Sequence, residues 1–310
     1  MSHGVASTAG YGSPGSAPVS RFKAHLGLTK PRIIELLLVT AIPTMFLAAQ
    51  GLPDARTAIA VLIGGALSAG SANTFNSVYD RDIDAVMKRT GHRPAVQGDV
   101  SARAGLAQGL ILGIASVVVL AVLANPLSAI LSVAAILMYV VGYTMVLKRR
   151  TSQNIVWGGA AGCMPVLIAW AAVTNSVTWT PVVLFLIVFF WTPPHYWPLA
   201  IKYREDYAAA GIPMLPVVAP MATVVRHIVI YSWLMVATTL VLVPVASMGW
   251  VYSVGAVVAG AGFIYLAYRL RSVRDQPADV VERTSMRLFH GSITYLAVIF
   301  LLVGLDPFLI

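Results

Sequence analysis

The sequence predicts an all-α polytopic membrane protein with nine transmembrane helices, its N-terminus cytoplasmic and its C-terminus periplasmic. Of its 310 residues, 58% are hydrophobic and only 11% are charged, which is too apolar for a soluble domain. Apolar runs of about 17–21 residues recur along the chain, and a helix of that length spans a bilayer core. The net charge of +9 follows from basic residues in the connections between helices, so we expect no binding to nucleic acid.

Nine apolar segments account for the predicted helices, because a membrane barrel would show short alternating strands instead. Their boundaries are 33–50, 58–78, 104–124, 127–147, 155–173, 182–201, 228–246, 251–268 and 289–305. Only Asn125 and Pro126 separate the third segment from the fourth, which predicts a tight turn between two antiparallel helices.

The basic residues determine the predicted orientation. Every Lys and Arg except Arg56 lies before helix one or in the connections that follow helices two, four, six and eight. By the positive-inside rule that side is the cytoplasm. Residues 1–20, rich in Gly, Ser, Ala and Pro, are predicted to form a disordered tail, followed by a single transmembrane domain over 21–310. The tail lacks the features of a signal or transit peptide, which favours a bacterial inner membrane.

The strongest signal for a site is the stretch NSVYDRDIDAVMKRTGHRP, residues 76–94. Asn76, Asp80 and Asp84 are four residues apart and form one polar stripe along a helix, whereas Asp82 faces elsewhere. Two carboxylates in such a stripe suit Mg²⁺, which usually takes one or two carboxylates together with substrate phosphates. The alternative interpretation of the four-residue spacing is an ordinary helix end exposed to solvent.

Several basic residues lie near this stripe and are candidates for binding the anion that the metal holds. They are Lys88, Arg89 and Arg93 after the stripe, and Lys148 and Arg149 between helices four and five. For Lys148 and Arg149 a role in setting the membrane topology is the alternative.

A second polar stripe is predicted at the end of helix six. His195, Lys202 and Asp206 lie within about 20° of one direction on an ideal helix, although three prolines in the segment interrupt that ideal. Lys202 and Asp206 repeat the spacing of Asp80 and Asp84, which hints at a duplicated four-helix unit. The alternatives are a hydrogen-bonded interior role for His195 and a snorkelling role for Lys202.

Together these groups predict a metal and anion site at the cytoplasmic mouth of an apolar cavity. A substrate with a diphosphate head and a hydrocarbon tail would satisfy both ends, because Mg²⁺ and basic residues neutralise a leaving diphosphate. A secondary transporter is the alternative from another class, although transporters commonly bind their ions near the membrane midplane. A purely structural assembly subunit would leave the stripe unexplained.

The NxxxDxxxD stretch followed by KRTGHRP resembles the first signature of the UbiA-type intramembrane prenyltransferase superfamily. Residues 28–32 (LTKPR), 147–174, 191–217 (WTPPHYWPLAIKYREDYAAAGIPMLPV) and 287–296 (RLFHGSITYL) resemble its haem O synthase family. This resemblance implies Mg²⁺-dependent transfer of farnesyl from farnesyl diphosphate to the 2-vinyl group of haem B. Hydroxide from water adds in the same step, giving haem O for terminal oxidases.

The resemblance also assigns roles to residues by position. Asn76, Asp80 and Asp84 become the first metal–diphosphate motif, and Arg89 and Arg93 become a diphosphate clamp beside it. The expected metal ligands are completed by Asp206 of the second motif.

The second motif departs from the superfamily pattern. Lys202 stands where much of the superfamily has an aspartate, and it is expected to bind diphosphate directly through a charge-assisted hydrogen bond. His195 becomes the candidate for contacting haem, as axial ligand or as partner of a propionate, with His92 and His290 as rivals. Neither the residues nor the resemblance chooses among the three.

The expected partners are farnesyl diphosphate, haem B and membrane lipid, with haem A synthase or terminal-oxidase assembly factors as protein partners. A sibling enzyme that prenylates an aromatic quinone precursor such as 4-hydroxybenzoate is the alternative within the superfamily. That enzyme would want an acidic residue in place of Lys202.

Overall fold

The computed structural model describes residues 20–309, apart from the side chains of residues 33, 35 and 36. That part of the chain is helical and contains no β-strand. The predicted disordered tail, residues 1–20, lies outside the described residues except for its last position.

Fourteen α-helices follow one another within this range. In chain order they are α1 (Arg21–Thr29), α2 (Pro31–Ala49), α3 (Ala55–Tyr79), α4 (Arg81–Val86), α5 (Pro94–Gln97), α6 (Ala102–Leu123), α7 (Pro126–Leu137), α8 (Asn154–Thr174), α9 (Trp179–Lys202), α10 (Arg204–Ala209), α11 (Leu215–Val218), α12 (Met221–Ala246), α13 (Trp250–Ser272) and α14 (Ala278–Leu305). A π-helix (Met138–Leu147) continues α7, and a 3₁₀ turn (Asp306–Phe308) follows α14.

All nine predicted apolar segments are helical. Eight helices in the described range are long and apolar enough to cross a membrane, so this is a multi-pass membrane protein. The first predicted segment coincides with α2, whose apolar part, Leu37–Ala49, is shorter. Nine crossings and the orientation of the termini therefore stay predictions.

Helix α14 is longer than its predicted segment, 289–305, because it begins at Ala278. A search for apolar runs misses its first turns, which carry Asp279, Glu282, Arg283 and Arg287. These turns extend α14 beyond the apolar region and place Glu282 near the end of α9.

The predicted tight turn between α6 and α7 is confirmed. Asn125 caps α7 because its Oδ1 accepts a hydrogen bond from Ser128 N at 2.9 Å, and Pro126 occupies the first helical position. The Asn125 amide also donates to Ala171 O at 2.7 Å, which ties this turn to α8.

Helices α2, α8, α9 and α14 form the middle of the bundle. α9 packs on α8, α12 and α14, while α2 packs on α8 and α14 and α3 packs on α6. Small residues allow the closest approaches: a Cβ at Gly158 would meet the Tyr143 ring, and one at Gly159 would lie 2.7 Å from Thr192 Cγ2. This packing brings the ends of α3, the π-helix and α9 together on one side of the bundle.

Candidate active site

The predicted polar stripe spans the junction between two helices. α3 ends at Tyr79, α4 begins at Arg81, and Asp80 lies between them. The helical hydrogen-bond pattern continues across the junction, since Asp80 N donates to Asn76 O at 2.9 Å and Asp84 N donates to Asp80 O at 2.8 Å. Asn76, Asp80 and Asp84 therefore share one face, and all three are buried.

A basic side chain binds each member of the stripe. Lys148 Nζ lies 2.5 Å from Asp80 Oδ2, and Arg93 Nη1 lies 2.6 Å from Asp84 Oδ2. The Asn76 amide links the stripe to the π-helix, because it donates to Asp80 Oδ2 at 2.6 Å and to Thr144 Oγ1 of the π-helix at 3.0 Å. Such pairing is what allows charged groups to be buried.

Lys30 is a site residue that the sequence reasoning missed. Its Nζ donates to Asn76 Oδ1 at 2.5 Å from the junction between α1 and α2. Burial, together with the charges of Arg93 and Lys148, lowers the pKa of Lys30 to about 7. Pro31 was the available signal, because the residue before a proline is pushed out of the helical region, so Lys30 had to stand at a helix break.

Asp82 points away from the stripe, as the helical spacing predicts. Its side chain is 59% exposed, and both oxygens accept hydrogen bonds from Arg149 at 2.7 Å. That hydrogen bonding lowers the pKa of Asp82. Arg149 also reaches to 3.6 Å from Asp80 Oδ1 and lies over the Tyr79 ring, so it stands between the surface and the buried carboxylate.

The donor set fits a hard cation that shares its coordination with a substrate. Asp80 Oδ1 is buried and accepts no hydrogen bond from the described residues, and a buried carboxylate oxygen calls for a partner. The described side chains include no cluster of three or more His, Cys, Asp or Glu residues that would hold a metal by themselves. Asp206 therefore does not join Asp80 and Asp84 in one cluster, and Mg²⁺ here would need phosphate and water ligands.

The second motif lines a cleft of its own beside the first. Lys88, Arg89, Lys202, Tyr203, Glu205 and Asp206 line this cleft. Arg89 N donates to Asp206 Oδ2 at 3.4 Å, and the Arg89 guanidinium lies over the Tyr203 ring. The segment that follows α4 thus links the two motifs.

Lys202 has an acidic neighbour that the sequence reasoning did not identify. Its Nζ lies 3.6 Å from Glu282 Oε1 of α14, and both side chains are partly exposed. The two residues are far apart in the sequence, so only the packing of α14 on α9 reveals the pair.

His195 is held in a defined orientation inside α9. Its ring stacks between Trp191 and Phe289, at centroid distances of 4.1 and 4.7 Å. Nδ1 lies 2.7 Å from Ser292 Oγ, and that hydroxyl donates to Phe289 O at 2.6 Å. With the single Ser292 hydroxyl proton assigned to Phe289 O, the imidazole donates from Nδ1 and its lone pair lies on Nε2.

The predicted His–Lys–Asp stripe is only partly continuous. α9 runs unbroken through its three prolines, but it ends at Lys202, and Asp206 belongs to α10. The rival histidines, His92 and His290, are exposed. The structure therefore separates His195, which is oriented by neighbours, from these two surface residues.

An apolar cavity lies between α2, α3, α7 and α8, and one end of it lies near the stripe. Its lining includes Ile34, Leu38, Ala69, Asn73, Tyr139 and Gly162. Asn73 is one turn before Asn76 and donates to Thr29 O at 3.0 Å, beside Lys30. One end of the cavity therefore lies within about one helical turn of the stripe.

The fold and this site define a class: a multi-pass helical membrane protein in which basic and acidic side chains cluster about one helical turn from one end of an apolar cavity. Residues 37–305 match the model of the UbiA prenyltransferase family. The chain belongs to this family, which decides against the transporter and assembly-subunit alternatives.

Relatives with high identity cover nearly the whole chain. Protoheme IX farnesyltransferase of Leifsonia xyli subsp. xyli is 57% identical over 296 residues, which cover 95% of each chain. Protoheme IX farnesyltransferase of Streptomyces avermitilis is 54% identical over 290 residues, 94% of this chain and 95% of that one.

Solved structures share the fold at low identity. A digeranylgeranylglyceryl phosphate synthase superposes with a TM-score of 0.77 at 16% identity, covering 94% of this chain and 99% of that one. A UbiA homologue from Archaeoglobus fulgidus bound to DMAPP and Mg²⁺ has a TM-score of 0.64 at 18% identity, covering 89% and 99%.

Proposed function

We propose that this protein transfers a farnesyl group from farnesyl diphosphate to the 2-vinyl group of haem B and adds hydroxyl from water, which yields haem O. The observation that carries the proposal is the site near one end of the apolar cavity. It combines the buried carboxylates of Asp80 and Asp84 with four basic side chains, those of Lys30, Arg93, Lys148 and Arg149. The relatives named protoheme IX farnesyltransferase, at 54–57% identity over most of the chain, support haem B as the acceptor.

The diphosphate end of the substrate lies at the stripe. Asn76, Asp80 and Asp84 would hold Mg²⁺ on the first motif. Asp206 of the second motif lies outside their cluster and would hold a metal only together with phosphate and water ligands. When bound, Mg²⁺ neutralises charge on the leaving diphosphate.

The cations of this chain exchange partners when the substrate binds. Lys148, Arg93 and Lys30 turn from the stripe to the phosphate oxygens, and Lys88, Arg89, Arg149 and Lys202 bind the diphosphate from the surrounding segments. Charge-assisted hydrogen bonds to phosphate are strong, and they act where negative charge develops as the C–O bond breaks.

The apolar cavity holds the farnesyl chain and excludes water from its reactive carbon. This protection matters because an allylic cation reacts with the first nucleophile it meets. Tyr139 and Asn73, at the end nearest the stripe, border the position of the reacting C1 atom.

His195 positions the haem B substrate. The lone pair of Nε2 is available to the haem iron, while Nδ1 is held by Ser292. A histidine fixed between two aromatic rings defines the ring plane and thereby directs one vinyl group towards the donor.

The chain acts in the bacterial inner membrane, with the stripe at the cytoplasmic face. In this arrangement α2 is the first of nine crossings, the C-terminus is periplasmic, and residues 21–310 form one catalytic domain. The distribution of Lys and Arg supports this orientation.

The test is a transfer assay with the purified full-length protein, farnesyl diphosphate, haem B and Mg²⁺, read by mass spectrometry of the extracted haem. We expect a product that carries one added farnesyl group and one added hydroxyl group, and its loss when EDTA removes Mg²⁺. In parallel, 4-hydroxybenzoate is offered as acceptor. Prenylation of that acid without any change in haem B would overturn the proposal in favour of the quinone-precursor alternative.

A further inference from the structure

Two glycines face the apolar cavity and leave open space in it. Gly65 of α3 and Gly162 of α8 both line the cavity, and a Cβ built on either would meet no atom within 4 Å. The neighbouring Gly64 differs, since its Cβ would lie 2.7 Å from Leu120 in a helix contact. Gly65 and Gly162 are therefore not needed for helix packing, and their missing side chains enlarge the cavity.

Buried and packed residues form the wall of the cavity at its far end. Val61, Ala41 and Ile168 belong to its lining, yet they are only 1%, 2% and 4% exposed. Val61 and Ala41 pack in a cluster with Met45 and two alanines of α8. A hydrocarbon chain that enters from the stripe meets this wall.

The depth of each glycine follows from the helix rise of about 1.5 Å per residue. Gly65 lies about 12 Å along α3 from Asn73, the lining residue beside which C1 is placed, and Val61 lies about 18 Å from it. Gly162 lies about 12 Å along α8 from Asn154, the first residue of that helix, whose amide donates to Lys148 O.

The length of the prenyl chain can be compared with these depths. Three bonds of an extended chain advance about 3.3–3.6 Å, so one isoprene unit of four bonds advances about 4.6 Å. Three units extend about 14 Å and four units about 18 Å from the reacting end of the chain. The third unit thus reaches the level of Gly162 and Gly65, and a fourth would approach Val61.

We propose that Gly65 and Gly162 select the length of the prenyl donor by providing room for the third isoprene unit, while the wall at Val61 limits a fourth. This inference rests on the proposed function, since it concerns the donor of that reaction. A side chain at either glycine fills the cavity at a defined depth, and a shorter donor is unaffected.

The test compares Gly65→Ala, Gly65→Val and Gly65→Leu with geranyl, farnesyl and geranylgeranyl diphosphate as competing donors to haem B, read by product mass. A pocket discriminates a single methylene by about 10–200-fold, so Gly65→Leu should lower the farnesyl-to-geranyl product ratio at least about tenfold. The alanine and valine variants should fall between. Val61→Ala should instead raise the geranylgeranyl-to-farnesyl ratio.

The matched control is Gly262→Leu. Gly262 lies in α13, is exposed, and likewise has no atom within 4 Å of a built Cβ, but it lies outside the cavity. This variant should keep the product ratios of the unmodified protein. Geranyl transfer by Gly65→Leu reports that the variant is folded.

The results distinguish a failure of the proposed function from a failure of length selection. If the unmodified protein transfers no farnesyl to haem B, the proposed function fails. If it does, and Gly65→Leu keeps the same product ratio, length selection by these glycines is wrong while the function stands. Loss of geranyl transfer together with farnesyl transfer in Gly65→Leu, with Gly262→Leu unaffected, would also contradict length selection.

Discussion

Neutralising Asp80 and Asp82 separately tests whether the buried stripe performs the chemistry. Asp80→Asn removes a charge that is 0% exposed and paired with Lys148, which is 14% exposed. Breaking a buried pair by removing one partner costs about 3–5 kcal/mol. Asp82→Asn removes a carboxylate that is 59% exposed, and such surface pairs contribute about 0–1 kcal/mol.

The two variants should differ in activity as well as in stability. Asp80→Asn loses a hard oxygen ligand and a charge at the site, and we expect farnesyl transfer to fall by at least about 10²-fold, the usual effect of removing one electrostatic group from an active site. Asp82→Asn should stay within about tenfold, because Arg149 can still bind diphosphate. The assay is the rate of transfer to haem B over a range of Mg²⁺ concentrations, with heat denaturation in detergent measured in parallel.

A double variant separates stability from chemistry. Adding Lys148→Met to Asp80→Asn removes the lysine charge that the single change leaves unpaired, so the denaturation midpoint should recover towards that of the unmodified protein. Activity should not recover, since both the metal ligand and a diphosphate cation are missing. Equal losses of transfer in Asp80→Asn and Asp82→Asn would refute the assignment of the stripe.

Three further predictions concern other parts of the molecule. Lys202→Ala should raise the KM for farnesyl diphosphate with little change in haem affinity. Glu282→Gln should lower this KM or leave it unchanged, because the pair is partly exposed. A rise in the KM for Glu282→Gln would contradict direct phosphate binding by Lys202. Ser292→Ala should weaken haem B binding and shift the haem absorption spectrum, because the His195 tautomer is no longer fixed by the Ser292 hydroxyl. Ser292→Thr should retain the haem affinity and the spectrum. Identical spectra in the unmodified protein and both variants would show that the contact is only structural. A periplasmic reporter fused after the last residue should be active and one inserted within 82–100 inactive, and a cytoplasmic C-terminus would rule out nine crossings.

Apolar length alone predicted the long helices, because a bilayer core demands about 20 apolar residues per crossing. It missed the short helices between them, such as α4 and α10, whose boundaries depend on local hydrogen bonds. It also missed the π-helix at Met138–Leu147, in which Lys148 N donates to Tyr143 O five residues back. Nothing in the sequence of that segment distinguishes this pattern from an α-helix, yet it leads directly to Lys148 in the site.

The candidate site likewise has a part that the sequence predicted and a part that it did not. Spacing identified Asn76, Asp80 and Asp84, since a period of four residues is a local property of a helix. The partners of the stripe depend on contacts between distant segments, as in the bond from Lys30 to Asn76. For the same reason Glu282 was not found, because its role depends on how α14 packs against α9.

The hint of a duplicated unit gains physical content from the two helix junctions. Asp80 follows the end of α3, with φ −88° and ψ 7°, and Tyr203 follows the end of α9, with φ −100° and ψ 26°. Both residues lie in the sparsely populated bridge region. Each junction is followed by a helix of six residues with two acids in its first turn. Both long helices therefore end in the same way, at a residue in the bridge region that is followed by a short helix beside the site.

The two motifs correspond by their four-residue spacing and not by the register of the junctions, because Asp80 follows the end of α3 whereas Lys202 is the last residue of α9. Lys202 stands four residues before Asp206, in the position that Asp80 occupies relative to Asp84. Exchanging a carboxylate for an ammonium leaves two carboxylates four residues apart only in the first motif. In the proposed reaction the first motif would therefore hold Mg²⁺, and Lys202 of the second would bind a phosphate oxygen directly.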